Sequence, residues 1–259
     1  MTTNLILKKT INGMTSITLN RPEKRNALNA QMIDELLIVL NETANDGETR
    51  VLIMSGNGEH FCAGADMAYM EQLGQCTEAE NRADAEKIAM LMKQLYVFPH
   101  PTILLAHGAT MGGGLGLLAA SDIAIGAKNA VFSFSEVKIG LAPSTISPYV
   151  VAAIGERMAR YYFLTGERFG ADIAHRIGLL HEVTEPDALT SVGITVAEKL
   201  LQNSPYAMSA VKKLIPLLQQ PMSDELSQMT IDHLAKLRAS AQAQEGLRAF
   251  LEKRTPTWK

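Results

Sequence analysis

Cysteine, tryptophan and long apolar runs are all scarce in this 259-residue chain, and each scarcity removes a class of protein. Two cysteines, Cys62 and Cys76, cannot build a disulfide framework, and their spacing matches no zinc motif. No apolar run reaches the ~18 residues that a bilayer span needs. Six histidines, at 60, 100, 107, 175, 181 and 233, form neither His-x-x-x-His nor His-Glu-x-x-His, so no metal site is expected. A Gly-x-Ser-x-Gly elbow is missing, which argues against a serine hydrolase. Basic residues do not predominate: 24 Lys and Arg face 27 Asp and Glu, a net charge of −3, and aromatics are 5%. Nucleic-acid affinity rests on clustered cations, so no nucleic-acid partner is expected. The first residues show no basic stretch followed by a long apolar one, and the expectation is a reduced, cytoplasmic protein without a membrane partner.

What is present is an ordinary globular composition, 47% hydrophobic and 20% charged, with enough apolar material for a substantial core. Residues 5–9 and 14–19 read as a β-hairpin turned by Asn12-Gly13. Met32, Ile33, Leu36, Leu37 and Leu40 follow helical spacing between an N-cap at Asn29 and a stop at Gly47. Val51–Met54 is a short buried strand. Thr77-Glu78-Ala79-Glu80 is a capping box that opens a helix reaching about Tyr96. Ile103–Ala106 is another buried strand, residues 108–116 a glycine-rich turn, and 122–127 and 131–135 further strands. Beyond about 147 the pattern is mainly helical: 148–163, 171–177, 186–202, 205–218, 223–237 and 240–252. The alternation predicts α/β with repeated strand–strand–helix turns, without a low-complexity linker.

Two loops carry candidate chemistry. In Met111-Gly112-Gly113-Gly114-Leu115-Gly116 the glycines allow close backbone approach, and a following helix offers unpaired N–H groups. A Walker loop needs Gly-Lys-Ser/Thr, and the dinucleotide fingerprint needs a glycine where Leu117 stands. An oxyanion hole remains. Phe61-Cys62-Ala63-Gly64-Ala65-Asp66 follows a buried strand and can present a second backbone donor, at Ala65. Spacing alone leaves both loops equally readable as plain strand-to-helix connections.

Several motifs in order resemble those of the enoyl-CoA hydratase/isomerase (crotonase) family. They are Leu19-Asn20-Arg21-Pro22 with Arg25-Asn26-Ala27-Leu28, then Phe61 to Asp66, then Gly108 to Asp122. Phe134 to Leu141, Leu164-Thr165-Gly166 and Phe250 to Arg254 continue the series. The resemblance implies a crotonase-type spiral of ββα repeats over residues 1–195, with a helical C-terminal oligomerisation region over 196–259 and a homotrimer or homohexamer. It implies that the N–H groups of Ala65 and Gly113 hold a thioester carbonyl, and that Ala63 and Asp66 lie along the coenzyme A path. Arg25 would lie near the phosphates, and Lys253 would reach a phosphate across a subunit boundary. Coenzyme A is then part of an acyl-CoA substrate, and no separate cofactor is implied.

The acid–base group departs from the family pattern. Many hydratases of the family carry two glutamates; here the first position is Gly116 and only the second, Glu136, is acidic. One carboxylate can activate water and return its proton to the α-carbon, or shuttle a proton between C4 and C2 as a Δ3,Δ2-isomerase does. Glu136 shares parity with Phe132 and Phe134, so a continuing strand would set it on an apolar face and raise its pKa. The segment from Ser133 to Tyr149 resembles the methylglutaconyl-CoA and isohexenylglutaconyl-CoA hydratases, whose substrates carry a second carboxylate. Lys138, Ser144 and Thr145 are candidates to receive it. The expectation is an enoyl-CoA hydratase, with the isomerase as alternative and a non-catalytic acyl-CoA- or RNA-binding protein as the rival of another class.

Overall fold

A computed structural model describes residues 4–219, 221 and 223–258. The ends of the expected domain limits, 1–3 and 259, lie outside the described residues. The chain opens with the hairpin β1 (Ile6–Ile11) and β2 (Met14–Leu19). Its turn sits on Asn12 and Gly13, both at positive φ, the geometry a two-residue hairpin demands. Helix α1 (Ala30–Asn45) begins where Asn29 caps it: the Asn29 Oδ1 accepts from the Met32 amide at 2.9 Å. Strand β3 (Val51–Gly56) follows, then a short helix α2 (Met67–Leu73) and α3 (Glu78–Tyr96). The capping box at Thr77 and Glu80 is present in both directions. Helix α2 has no counterpart among the expected elements, because seven residues, about two turns, carry too little pattern to read.

Next come β4 (Thr102–Ala106), β5 (Ala109–Met111) and α4 (Gly113–Ala120), then β6 (Ile123–Ala127), β7 (Val131–Ser133) and α5 (Ser147–Thr165). Each set is one strand–strand–helix turn. The first strand joins a six-stranded sheet, ordered β1-β2-β3-β4-β6-β9, and the second joins a smaller one, β5-β7-β8. The last two strands are β8 (Phe169–Gly170) and β9 (Glu182–Thr184), with α6 (Ala171–Arg176) between them. Apart from the opening hairpin, all pairings in the large sheet are parallel. This repeated turn is the crotonase fold.

The large sheet is covered on both sides, which is why its strands read as unbroken apolar runs. Leu52, Met54, Leu104 and Ala124 face the main core, shared with α1, α3, α4 and α5. Val51, Ile53, Ile103, Leu105 and Ile125 face a second layer that includes Leu189 and Ala197 of α7 (Leu189–Leu201). The expected division at residue 195 therefore falls inside a helix packed on β3, β4 and β6. The remaining helices, α8 (Pro205–Leu214), α9 (Asp224–Arg238) and α10 (Ala241–Leu251), pack mainly on one another. Lys212 of α8 fastens them to the sheet by pairing with Asp122 and donating to the His100 carbonyl.

Candidate active site

The two glycine-bearing loops meet through the backbone. The 57–66 loop leaves β3 and runs between Leu28 on one side and β5 on the other: Leu28 bridges Ala65, and Cys62 bridges Thr110. The Leu28 amide donates to the Gly64 carbonyl at 2.7 Å, and the Asp66 amide to the Leu28 carbonyl at 2.8 Å. In such a parallel bridge the residue facing the bonded one turns its own N–H and C=O the opposite way. Ala65 is that residue; it is exposed, and its N–H has no acceptor among the described residues.

The second donor comes from the start of α4. Expected to start beyond the glycine turn, the helix in fact begins within it, at Gly113, one residue past Gly112 at φ 43° and ψ −115°. As the first helical residue, Gly113 has no intrahelical acceptor for its N–H. The glycines are a packing requirement. A Cβ on Gly113 would lie 2.8 Å from Leu28 Cδ1, and one on Gly114 would lie 2.8 Å from Cys62 Cβ. With hydrogen atoms only, the helix start reaches the Leu28 and Cys62 segments, and so the Ala65 loop.

Glu136 closes the same space. A Cβ built on Gly112 would lie 3.1 Å from Glu136 Oε1 and 3.8 Å from Gly64 Cα, so the carboxylate and both donor loops converge. The route differs from the sequence expectation. Strand β7 ends at Ser133, and Glu136 opens a 3-10 turn, Glu136–Ile139, so strand parity does not place it. The side chain is half-buried, its Oε2 is shielded from solvent without a hydrogen-bond partner, and burial pushes the carboxyl pKa up.

No second carboxylate can stand at 116 in this packing. A Cβ there would lie 2.3 Å from Ile146 Cγ2 and 2.9 Å from Met92 Sδ. Apolar side chains of α3 and of the residue preceding α5 fill that place.

Of the other expected site residues, Arg25, Ala63 and Asp66 lie at the Ala65 loop and Lys253 follows α10. Arg25 is exposed at the rim, and its carbonyl accepts from the Ala63 amide at 2.9 Å, so those two are neighbours. The Asp66 carboxylate is turned inward: it accepts from the Ala68 and Tyr69 amides and pairs with Arg21 at 2.7 Å. Lys253 is exposed and follows α10, a helix that packs on α8 and α9. His107 supports the 57–66 loop, its Nε2 bonded to the Gly58 carbonyl and its own carbonyl accepting from Phe61. Lys138 and Ser144 are exposed and Thr145 half-buried, near Glu136 in the chain. Among the described residues no cluster of His, Cys, Asp or Glu could hold a metal ion, and no helix is long and apolar enough to cross a membrane.

Sequence reasoning assigned nothing to Arg21, Asn26 or Leu28, all of which hold the Ala65 loop. The signal available was their place in the runs Leu19-Asn20-Arg21-Pro22 and Arg25-Asn26-Ala27-Leu28, which carry the family resemblance.

The family model for enoyl-CoA hydratase/isomerase matches residues 9–259. The chain belongs to the enoyl-CoA hydratase/isomerase family. An enoyl-CoA hydratase structure from Shewanella pealeana is 39% identical, with a TM-score of 0.96 over 98% of this chain and 96% of that one. The short-chain-enoyl-CoA hydratase of Clostridium acetobutylicum is 30% identical over 97% of this chain and 95% of its own length. The 2,3-dehydroadipyl-CoA hydratase of Escherichia coli is 29% identical over 94% of each chain.

Proposed function

We propose that this member of the family adds water reversibly to a 2-enoyl-CoA thioester, with Ala65 and Gly113 as oxyanion donors and Glu136 as the only acid–base group. Water donates a proton to Glu136 as its oxygen bonds to C3 of the acyl chain. The displaced π electrons move through C2 onto the thioester oxygen, where the two N–H groups receive the charge. Glu136 then returns the proton to C2. Each donor contributes roughly 2.7–4 kcal/mol to such a step, by comparison with a measured oxyanion hole. Support comes from the meeting of the two loops that carry Ala65 and Gly113, whose N–H groups have no acceptor among the described residues, with the Glu136 carboxylate, whose Oε1 borders Gly112 and whose Oε2 is buried without a partner. A raised carboxyl pKa suits a group that must accept and return the same proton near neutrality.

For the acyl group we favour a branched substrate of the methylglutaconyl type. The resemblance of residues 133–149 supports it, as do Lys138, Ser144 and Thr145 in the segment that follows Glu136. Coenzyme A would run past Ala63 and Arg25, and Lys253 would approach its phosphates from a neighbouring subunit of a trimer or hexamer. A cytoplasmic setting goes with this reading. The apolar filling beside Gly116 also favours a second reading, a Δ3,Δ2-isomerase, because one carboxylate suffices for a 1,3 proton shuttle.

Glu136→Gln decides the proton role: turnover should fall by ~10²–10⁴-fold, the range of general acid–base catalysis, while thioester binding persists. Unchanged turnover would remove Glu136 from the chemistry. Incubation with 2-enoyl and 3-enoyl thioesters separates the two reactions, since only hydration adds the mass of water.

A further inference from the structure

Ala65 would be a poor donor if its loop could rotate, and side-chain hydrogen bonds together with one ion pair hold the loop on both sides. On its N-terminal side, the buried Asn26 side chain donates to the carbonyls of Asn57 and His60 at 2.9 and 2.8 Å and accepts from the Arg21 amide at 2.8 Å. On its C-terminal side stands Asp66, whose Oδ1 caps α2 and whose Oδ2 meets Arg21 Nη1 at 2.7 Å. The same Nη1 donates to the Ala27 carbonyl at 3.2 Å. Arg21 therefore ties the first turn of α2 to the segment that bridges Ala65. Both charged side chains are largely buried, at 15% and 9% exposure.

We infer that Arg21 and Asp66 are positioning residues for the Ala65 N–H, acting through the N-terminus of α2 rather than touching the substrate. This rests on the oxyanion role proposed above. The placement of the pair is otherwise hard to understand, because a carboxylate one residue from an oxyanion donor opposes the charge that develops there. Arg21 cancels that charge. A pair serving only cancellation and a pair serving geometry make opposite predictions for Asp66→Asn. Asparagine caps a helix as well as aspartate does, and it leaves Arg21 cationic beside the developing oxyanion. Cancellation alone then predicts faster turnover. Positioning predicts slower turnover, because the amide cannot hold the guanidinium as the carboxylate does.

The experiment compares wild type, Asp66→Asn, Arg21→Lys and Glu136→Gln for kcat, KM, melting temperature and the absorption of a bound dienoyl-CoA thioester, whose band moves to the red when its carbonyl is polarised. Positioning predicts that kcat falls about 10- to 100-fold in Asp66→Asn, in line with the cost of ångström-scale misplacement. KM should change less than about threefold on the same grounds, and much of the red shift should be lost. Arg21→Lys, which keeps the cation but not the planar fork, should show a smaller loss of both, and it carries the test if Asp66→Asn does not fold. An unchanged or raised kcat with a full red shift in the folded variants overturns the positioning role. Glu136→Gln should keep the full shift with the reduced turnover given above; if it and the wild type both bind the thioester without any shift, the oxyanion reading itself fails.

Discussion

Replacing Gly112 with alanine perturbs a backbone position that borders both the Glu136 carboxylate and the Ala65 loop. Two effects can be sized separately. At φ 43° and ψ −115° an L-residue is strained, which costs roughly 1–3 kcal/mol. For a chain of this length that lowers the melting temperature by about 2–12 °C. The second effect is steric. The new Cβ would lie 3.1 Å from Glu136 Oε1, so the carboxylate must retreat by a few tenths of an ångström. If 1 Å of misplacement costs about 10²-fold, such a retreat costs roughly 3- to 10-fold in kcat, before any rotation of the Gly113 N–H is counted. The assay is steady-state loss of enoyl-thioester absorbance beside a thermal melt. Gly47→Ala is the internal control: Gly47 has φ 70° but open space where its Cβ would go. It should lose stability through strain and keep its kcat. Equal kcat in wild type and Gly112→Ala would refute the placement of Glu136 against that backbone. So would an equal loss of kcat in both glycine variants.

Burial raises the Glu136 carboxyl above its ordinary value, so a base that must be ionised loses activity as pH falls through that raised value; the acid limb of kcat/KM should lie above 4.5. The same shift has a stability consequence. Folding favours the protonated form, so the stabilisation is complete below the unfolded pKa and lost as pH rises through the folded one. Melting temperatures above that window should then be higher in Glu136→Gln than in wild type. Gly116→Glu should fail to restore a two-carboxylate site, because the side chain would collide with Ile146 and Met92. We expect a loss of more than about 3 kcal/mol from overpacking and an unpaired buried charge, measured by denaturant unfolding. Partial recovery on adding Ile146→Ala would identify the collision as the cause, and a stable, active single variant would contradict it.

The parts of the fold legible in the sequence are those written in local chemistry. Asn12-Gly13, the Asn29 cap and the Thr77–Glu80 box each act within four residues, and all three are present. The parallel strands announced themselves as apolar runs because both faces of the large sheet are covered. Strands β5, β8 and β9 were not visible: two or three residues have no period, and what defines them is pairing with β7 or β6, which is distant in the chain. The end of β7 was missed for a related reason. Phe132 and Phe134 are buried whether or not the strand continues, so their alternation says nothing about where pairing stops.

By itself, the sequence determined the family through the order of its motifs and the repeating strand–strand–helix turn through the alternation of its elements, and the family resemblance singled out Glu136 as the carboxylate to test. Those are properties of residue identity and short spacing. Only the tertiary structure decided that Asp66 pairs with Arg21, that α4 starts at Gly113, and that Ile146 and Met92 occupy the space beside Gly116. Each depends on segments 24 to 85 residues apart coming within van der Waals reach, and which atoms then meet is set by how the layers pack. A side chain's partner across such a gap is not encoded in its neighbours along the chain.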